Sequence, residues 1–166
     1  MNEFGLTDAQ IDDYIRCPKN IVRPPNPSHK LINRHYRNEV DWLGHGTEEK
    51  FQIFIRINAA FPENFSIGLS FQPIGTSGVY IKLLRFNGDH GGLHVNAEDH
   101  SSFTQGCHIH RATQYAFENN LRSENYATLT DSYTTYYDAL CIFVEMAHIL
   151  NTDQYPDFFT HQMKLL

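Results

Sequence analysis

Phe51-Gln52-Ile53-Phe54-Ile55-Arg56-Ile57-Asn58 and Phe65-Ser66-Ile67-Gly68-Leu69-Ser70-Phe71-Gln72 place an apolar side chain at every second position. A period of two belongs to a β-strand, whose side chains point alternately to opposite faces. Each run is therefore a half-buried strand. Phe61-Pro62-Glu63-Asn64 between them is turn chemistry, as is Pro73-Ile74-Gly75-Thr76-Ser77-Gly78 after the second. Short connections of this kind join antiparallel neighbours.

Working outward, Tyr36, Asn38, Val40 and Trp42 suggest a strand before this pair. Val79 to Phe86 gives one after it, apolar on both faces and so central, and Cys107 to Arg111 gives a fifth. Asn87 to Gly106, with three glycines near its start, reads as a long loop with a short extended piece at His94 to Asn96. At the N-terminus Thr7 can cap a helix carrying Ala9, Ile11, Tyr14 and Ile15, which Pro18 closes. Arg23-Pro24-Pro25-Asn26-Pro27-Ser28 is an extended linker. Asp131 or Ser132 can cap a final helix running to about Leu150, with Tyr136, Leu140, Phe143, Ala147 and Leu150 on one stripe.

The expected class is α+β: an antiparallel meander of about five strands, with an N-terminal helix and a long C-terminal helix packed on it. One domain spans residues 1–166, with the helix and Pro-rich linker in 1–30, the sheet and histidine loop in 35–111 and the last helix in 131–151.

The chain has 166 residues, 41% of them hydrophobic and 13% aromatic, enough for a packed core. Its longest apolar runs, such as Leu140 to Val144, are far short of the roughly 20 residues that span a bilayer. No signal peptide pattern opens it, so no membrane and a cytoplasmic location are expected. Cys17, Cys107 and Cys141 are odd in number and widely spaced, against a disulfide framework. Without export, the glycosylation sequon Asn64-Phe65-Ser66 is idle. The net charge of −6 argues against a nucleic-acid partner. Yet Arg16, Lys19, Arg23, Lys30, Arg34 and Arg37 form a stretch with no acid among them. It reads either as a phosphate-contacting patch or as a solvated loop and strand edge.

Five of the ten histidines, His90, His94, His100, His108 and His110, lie between residues 90 and 110. His108 and His110 on a strand share a face, about 7 Å apart, with Ile109 turned to the core. Glycines Gly91 and Gly92 permit a tight path that could fold His94 back toward that pair. Two chemistries remain open. In one, His94, His108 and His110 bind a divalent metal such as zinc, with water at the free position. In the other, two histidines act as general base and acid on a phosphodiester while Arg85 or Arg111 stabilises the developing charge. Alternation puts the Cys107 thiol on the face of Ile109, buried and not nucleophilic. Tyr133, Tyr136 and Tyr137 read as core and helix-surface residues, and the dispersed histidines as structural.

The segments Leu83-Leu84-Arg85-Phe86-Asn87, Gly91-Gly92-Leu93-His94-Val95-Asn96 and His108-Ile109-His110 resemble a bacterial family of small proteins of unknown function. That family carries a Leu-Leu-Arg strand, a Gly-x-x-His-x-Asn loop and a His-x-His strand. More distantly, the loop is similar to that of TumE-type toxins. The resemblance covers roughly Phe51 to Ile149 and implies that Arg85, His94, Asn96, His108 and His110 form the site. The family continues its His-x-His with an aliphatic residue and a tyrosine, where this chain has Arg111-Ala112.

The expected function is a small intracellular hydrolase of RNA or a nucleotide, toxin-like or related to phage defence, with His94, Asn96, His108, His110 and Arg85 catalytic. The alternative is a non-catalytic protein-binding module, an antitoxin, an inhibitor or a defence-complex subunit, with or without a structural metal. No Walker loop, dinucleotide fingerprint, nucleophile elbow or HExxH is present.

Overall fold

The computed structural model describes residues 4–44 and 48–159. Strands β1 (Lys19–Ile21), β2 (Lys30–Ile32), β3 (His35–Gly44), β4 (Lys50–Asn58), β5 (Phe65–Gln72), β6 (Ile81–Asn87), β9 (His108–Arg111) and β10 (Tyr126–Leu129) form one antiparallel sheet. Its order is β1-β3-β4-β5-β6-β9-β10, and β2 also pairs with β3. β1 lies against the Trp42–Gly44 end of β3 and β2 against the His35–Arg37 end, so the two share one edge of the sheet. β7 (His94–Val95) and β8 (Ser102–Phe103) form a separate hairpin inserted between β6 and β9.

The expected antiparallel α+β architecture is present, and all five expected strands exist. The sheet is wider than expected because β1, β2 and β10 were not recognised. Each has three or four residues, too few to establish a period. Val79 and Tyr80 precede β6 and are exposed.

The alternation of β4 and β5 has the predicted consequence. Phe51, Ile53, Ile55, Ile57, Phe65, Ile67, Leu69 and Phe71 are all buried on one face. Helix α1 (Asp8–Arg16) covers that face, with Tyr14 stacked on Phe71 at 4.6 Å between ring centroids. Thr7 and Gln10 close its first turn as a capping box. Helix α3 (Tyr136–Met146) covers the other end, where Phe143 meets the edge of Phe86 and Tyr136 meets Phe65. Its cap is Thr135, whose hydroxyl accepts from the Asp138 amide, so the helix is shorter at both ends than the expected 131–151. A short helix α2 (Gln114–Glu118), a 3₁₀ turn at Thr152–Gln154 and α4 (Pro156–Phe159) complete the covering.

The basic side chains of the N-terminal stretch are exposed except Lys19. It is fully buried, and its ammonium donates to the carbonyls of Ile15, Cys17 and Ala147 at 2.8–3.0 Å. It also lies 4.6 Å from the centroid of the Phe51 ring. The cation thus binds the C-terminal ends of α1 and α3 together, where helix dipoles favour positive charge. Burial nevertheless lowers its pKa to about 8.

The opposite face of the sheet carries polar side chains. Register places Arg37, Arg56, Ser66, Asn87 and His108 in one rank across β3, β4, β5, β6 and β9. The next rank is Glu39, Phe54, Gly68, Arg85, His110 and Ala127. Gly68 lies directly beneath the Phe54 ring, and a Cβ there would overlap it.

Candidate functional site

β9 is an interior strand, held between β6 and β10, so His108 and His110 stand on a rigid base. Both are buried, with ring centroids 5.1 Å apart. The segment between β6 and β9 turns through Gly91 and Gly92 at φ of 64° and 97°, a path that favours glycine. It brings His94 to 4.3 Å from His108 and 5.5 Å from His110, centroid to centroid. His90 lies 5.0 Å from His108 and 5.2 Å from His94. The fold-back expected from the glycines is thus observed. His100 is exposed in the hairpin turn and has no ring contact with these four among the described residues.

Backbone carbonyls set the ring tautomers. His108 donates from Nδ1 to the Gly106 carbonyl at 2.9 Å, and His110 from Nδ1 to the Glu124 carbonyl at 3.0 Å. His90 donates likewise to Gly91 at 2.8 Å. Each ring therefore keeps a lone pair on Nε2. For His108 that lone pair accepts from the Asn87 amide at 3.1 Å, while the Asn87 oxygen accepts from Ser66. For His110 the Nε2 is buried with no partner among the described residues. His94 is stacked on Phe103 across the hairpin, centroids 4.9 Å apart.

His90, His94 and His108 each offer one nitrogen within 4.8 Å of the others, and this triad could hold a metal ion. The sequence-based set was His94, His108 and His110. The triad has His90 in place of His110 because His110 is one step further along β9, beside Arg85 and Glu124. The Nδ1–H to carbonyl bonds of His90 and His108 are the outer support that metal-binding imidazoles ordinarily have. An ion on His108 would compete with the Asn87 amide for one lone pair.

Burial is the main cause that lowers the His108 pKa to about 4, with the charges of His94, His90 and Arg85 adding to it. Burial, then Arg85 and His108, lowers His110 to about 3. His94 is lowered by the same kind of causes, burial first. His108 and His110 are therefore neutral at pH 7, the form that ligates metal or accepts a proton.

Arg85, on β6, is paired by register with His110. Its Nη2 lies 3.9 Å from Glu124, and its buried Nε has no hydrogen-bond partner among the described residues. Glu124 is a site residue the sequence did not reveal, since it stands in an irregular polar segment. Burial raises its pKa, but the Arg122 hydrogen bond at 3.0 Å and the charges of Lys82 and Arg85 hold it below the usual range. Arg111, the other arginine considered, points to the opposite face and is paired with Asp12 at 2.6 Å. Strand alternation is the reason: residues 109 and 111 cannot share a face with 108 and 110. Cys107 packs against the core and burial raises its thiol pKa, as expected of an inert cysteine.

Asn96 has an anchoring place. Its side-chain amide donates to the Ala127 carbonyl and accepts from the Ala127 amide, both at 2.8 Å. It acts as a one-residue extension of the sheet at the open edge of β10. It also donates to Ser101, which is bonded to Asp99, and Asp99 accepts from Tyr126. This network docks the hairpin and with it His94.

Arg85, His94, Asn96 and His110 line a cleft of about 290 Å³, together with His90 and Glu124. Tyr133 supports its floor from the core side, its hydroxyl lying 2.9 Å from the His108 carbonyl and 3.0 Å from that of Asn87. No helix among the described residues is long and apolar enough to cross a membrane. Compared with protein-family models, curated proteins and solved structures, the chain finds no match.

Proposed function

We propose that this chain is a small hydrolase of phosphodiesters, acting on RNA or a nucleotide in the histidine cleft. One observation carries the reading. His110 Nε2 and Arg85 Nε, on register-paired residues of adjacent strands, are both buried with no partner among the described residues and belong to one cleft. Buried polar atoms in native proteins are nearly always bonded. The free lone pair of a neutral imidazole beside an unused guanidinium N–H matches a proton and an anionic oxygen of one ligand.

In this reading Arg85 binds a phosphoryl oxygen and stabilises its developing charge, while Glu124 holds the guanidinium in place. His110 takes the proton of the attacking hydroxyl or water at Nε2 as the new P–O bond forms and returns it to the leaving oxygen as the ester P–O bond breaks, while its Nδ1–H bond to the Glu124 backbone carbonyl supports the transiently charged ring. His90, His94 and His108 would hold a divalent ion of the zinc type, which would supply Lewis acidity. Asn96 positions His94. A toxin-like or phage-defence setting is supported only by the resemblance of the Gly-x-x-His-x-Asn and His-x-His motifs.

The test is RNA cleavage by the purified chain, with and without EDTA, beside the His108→Ala/His110→Ala variant. Cleavage by the wild type and not by the folded variant is expected, with loss in EDTA. Equal cleavage by the two proteins would sink the assignment. EDTA-resistant cleavage would leave acid–base chemistry without the ion.

A non-catalytic binding module has one observation in its favour. Leu31 and Ile32 are 61% and 43% exposed on β2, an edge strand open to pairing with another chain. Absence of turnover under every condition would favour it.

A further inference from the structure

The polar face of the sheet holds a second groove of about 320 Å³, lined by Arg37, Arg56, Phe54, Tyr80, Lys82 and Arg85 among others. Arg85 also lines the histidine cleft, so the two depressions meet at one guanidinium. Four cations line the groove against one lining acid, Glu39, in a chain whose net charge is −6; Lys82 and Arg85 also share Glu124 of the adjoining cleft at 3.8 and 3.9 Å, whereas Arg37 and Arg56 have no carboxylate partner among the described residues. The cations are spread and not clustered at one point. Arg37 and Arg56 face each other across β3 and β4 in the same rank as Asn87 and His108. Four interstrand steps of about 4.8 Å make that rank roughly 19 Å long. Two aromatic rings also line the groove, Phe54 in the next rank and Tyr80 just before β6. Phe54 rests over Gly68, with the Lys82 ammonium 5.4 Å from its centroid, and Tyr80 is 44% exposed.

We infer that this groove binds the sugar-phosphate backbone of a single-stranded polynucleotide and leads it to the histidine cleft. The inference rests on the hydrolytic reading only for what happens at the end of the path. Spaced cations with interleaved aromatic rings are how proteins hold single strands without reading sequence: the cations take phosphates and the rings stack bases. A mononucleotide would need only Arg85 and the cleft, and would leave Arg37 and Arg56 unused. The substrate is therefore the polymer.

Arg37 and Arg56 are exposed, and the one side-chain hydrogen bond of Arg56 among the described residues is an exposed contact with His35 Nε2, so both can be removed without disturbing the core. Fluorescence anisotropy of the full chain in EDTA would use labelled single strands of about 12 nucleotides, RNA and DNA of one sequence. In parallel, the zinc-supplemented protein would be assayed on bis(p-nitrophenyl) phosphate, a diester too small to reach the groove. The wild type is expected to bind the strands, and Arg37→Ala/Arg56→Ala to bind roughly tenfold or more weakly. The slope of log K against log salt should fall by about 1.4, from about 0.7 for each lost phosphate contact. Diester hydrolysis by the variant should equal that of the wild type. Binding of RNA alone would narrow the ligand to RNA, and equal binding would identify the shared backbone. Unchanged affinity in the variant, or no binding by the wild type at physiological salt, overturns the groove. Strand binding that the variant loses, with no diester turnover by the wild type, would keep the groove and remove the hydrolytic reading. Turnover without strand binding would do the reverse.

Discussion

Replacing Asn96 with alanine should release the histidine hairpin while the sheet stays folded. The side-chain amide satisfies both the N–H and the C=O of Ala127 at 2.8 Å, and Ala127 is buried. Leaving a buried backbone group unpaired costs about 1–3 kcal/mol. Two such groups, partly relieved by water at the opened edge of β10, give about 2–4 kcal/mol. At 1.36 kcal/mol per tenfold, hairpin opening becomes roughly 30- to 900-fold more frequent. Native-state hydrogen exchange reads this directly. The Asn96 amide, bonded to Ser101 O, and the His100 amide, bonded to Asn96 O, should lose protection by that factor. Amides of β4, far from the hairpin, should keep theirs. Asn96→Asp separates hydrogen bonding from cavity formation, because a carboxylate keeps the shape but cannot donate to the Ala127 carbonyl. It should show at least as large a loss. Unchanged protection of the hairpin amides in both variants, or a uniform loss throughout the sheet, would refute the anchoring role.

Zinc at about 100 times its dissociation constant should stabilise the wild type by about 2.7 kcal/mol. At roughly 2–4 °C per kcal/mol for a chain of this size, the melting temperature should rise by about 5–11 °C. His94→Ala should abolish that rise, and a full rise in the variant would exclude His94 as a ligand. Gly68→Ala should destabilise by about 1–3 kcal/mol through overlap with Phe54. Phe54→Ala in the same chain should recover part of it, and a urea double-mutant cycle showing no coupling would contradict the contact. Lys19→Met should cost about 2–4 kcal/mol at pH 7, since it leaves three helix-end carbonyls without their donor. The folded pKa of Lys19 is about 8 against about 10.4 for an unfolded lysine. Between those values the unfolded chain binds more protons, so this group makes stability rise with pH, by about 3 kcal/mol in all. Urea unfolding at pH 8 and pH 10 should show that rise in the wild type relative to Lys19→Met; parallel pH profiles would disprove it.

The strands that were legible in the sequence are those with a long enough alternation. β4 and β5 have nine and eight residues and display their period openly. β1 and β10 have three and four and are strands only because a neighbouring edge receives them. The end of α3 was misjudged because Ala147 and Leu150 continue its stripe, although the backbone has left the helix by His148, which has φ of 52°. The site was half legible. His108 and His110 follow from alternation, and their union with His94 from two glycines. The exchange of His90 for His110 in the converging triad, and the placing of Glu124 beside Arg85, depend on how the hairpin and the segment before β10 lie in space. No local pattern records that. Arg111 lies outside the site by the same alternation that pairs His108 with His110.

The hairpin insertion joins two residues that already face each other. Asn87 and His108 are register partners on β6 and β9, and residues 88–107 leave and return at that pair. The segment is therefore a detachable cassette in what would otherwise be a simple β-hairpin. Replacing it with a two-residue turn would leave β6, β9 and β10 joined as they are now. The shortened chain would keep His108, His110 and Arg85 on its surface, while His90, His94 and Asn96 would be gone. That makes it a ready scaffold for grafting other loops over a fixed pair of imidazoles.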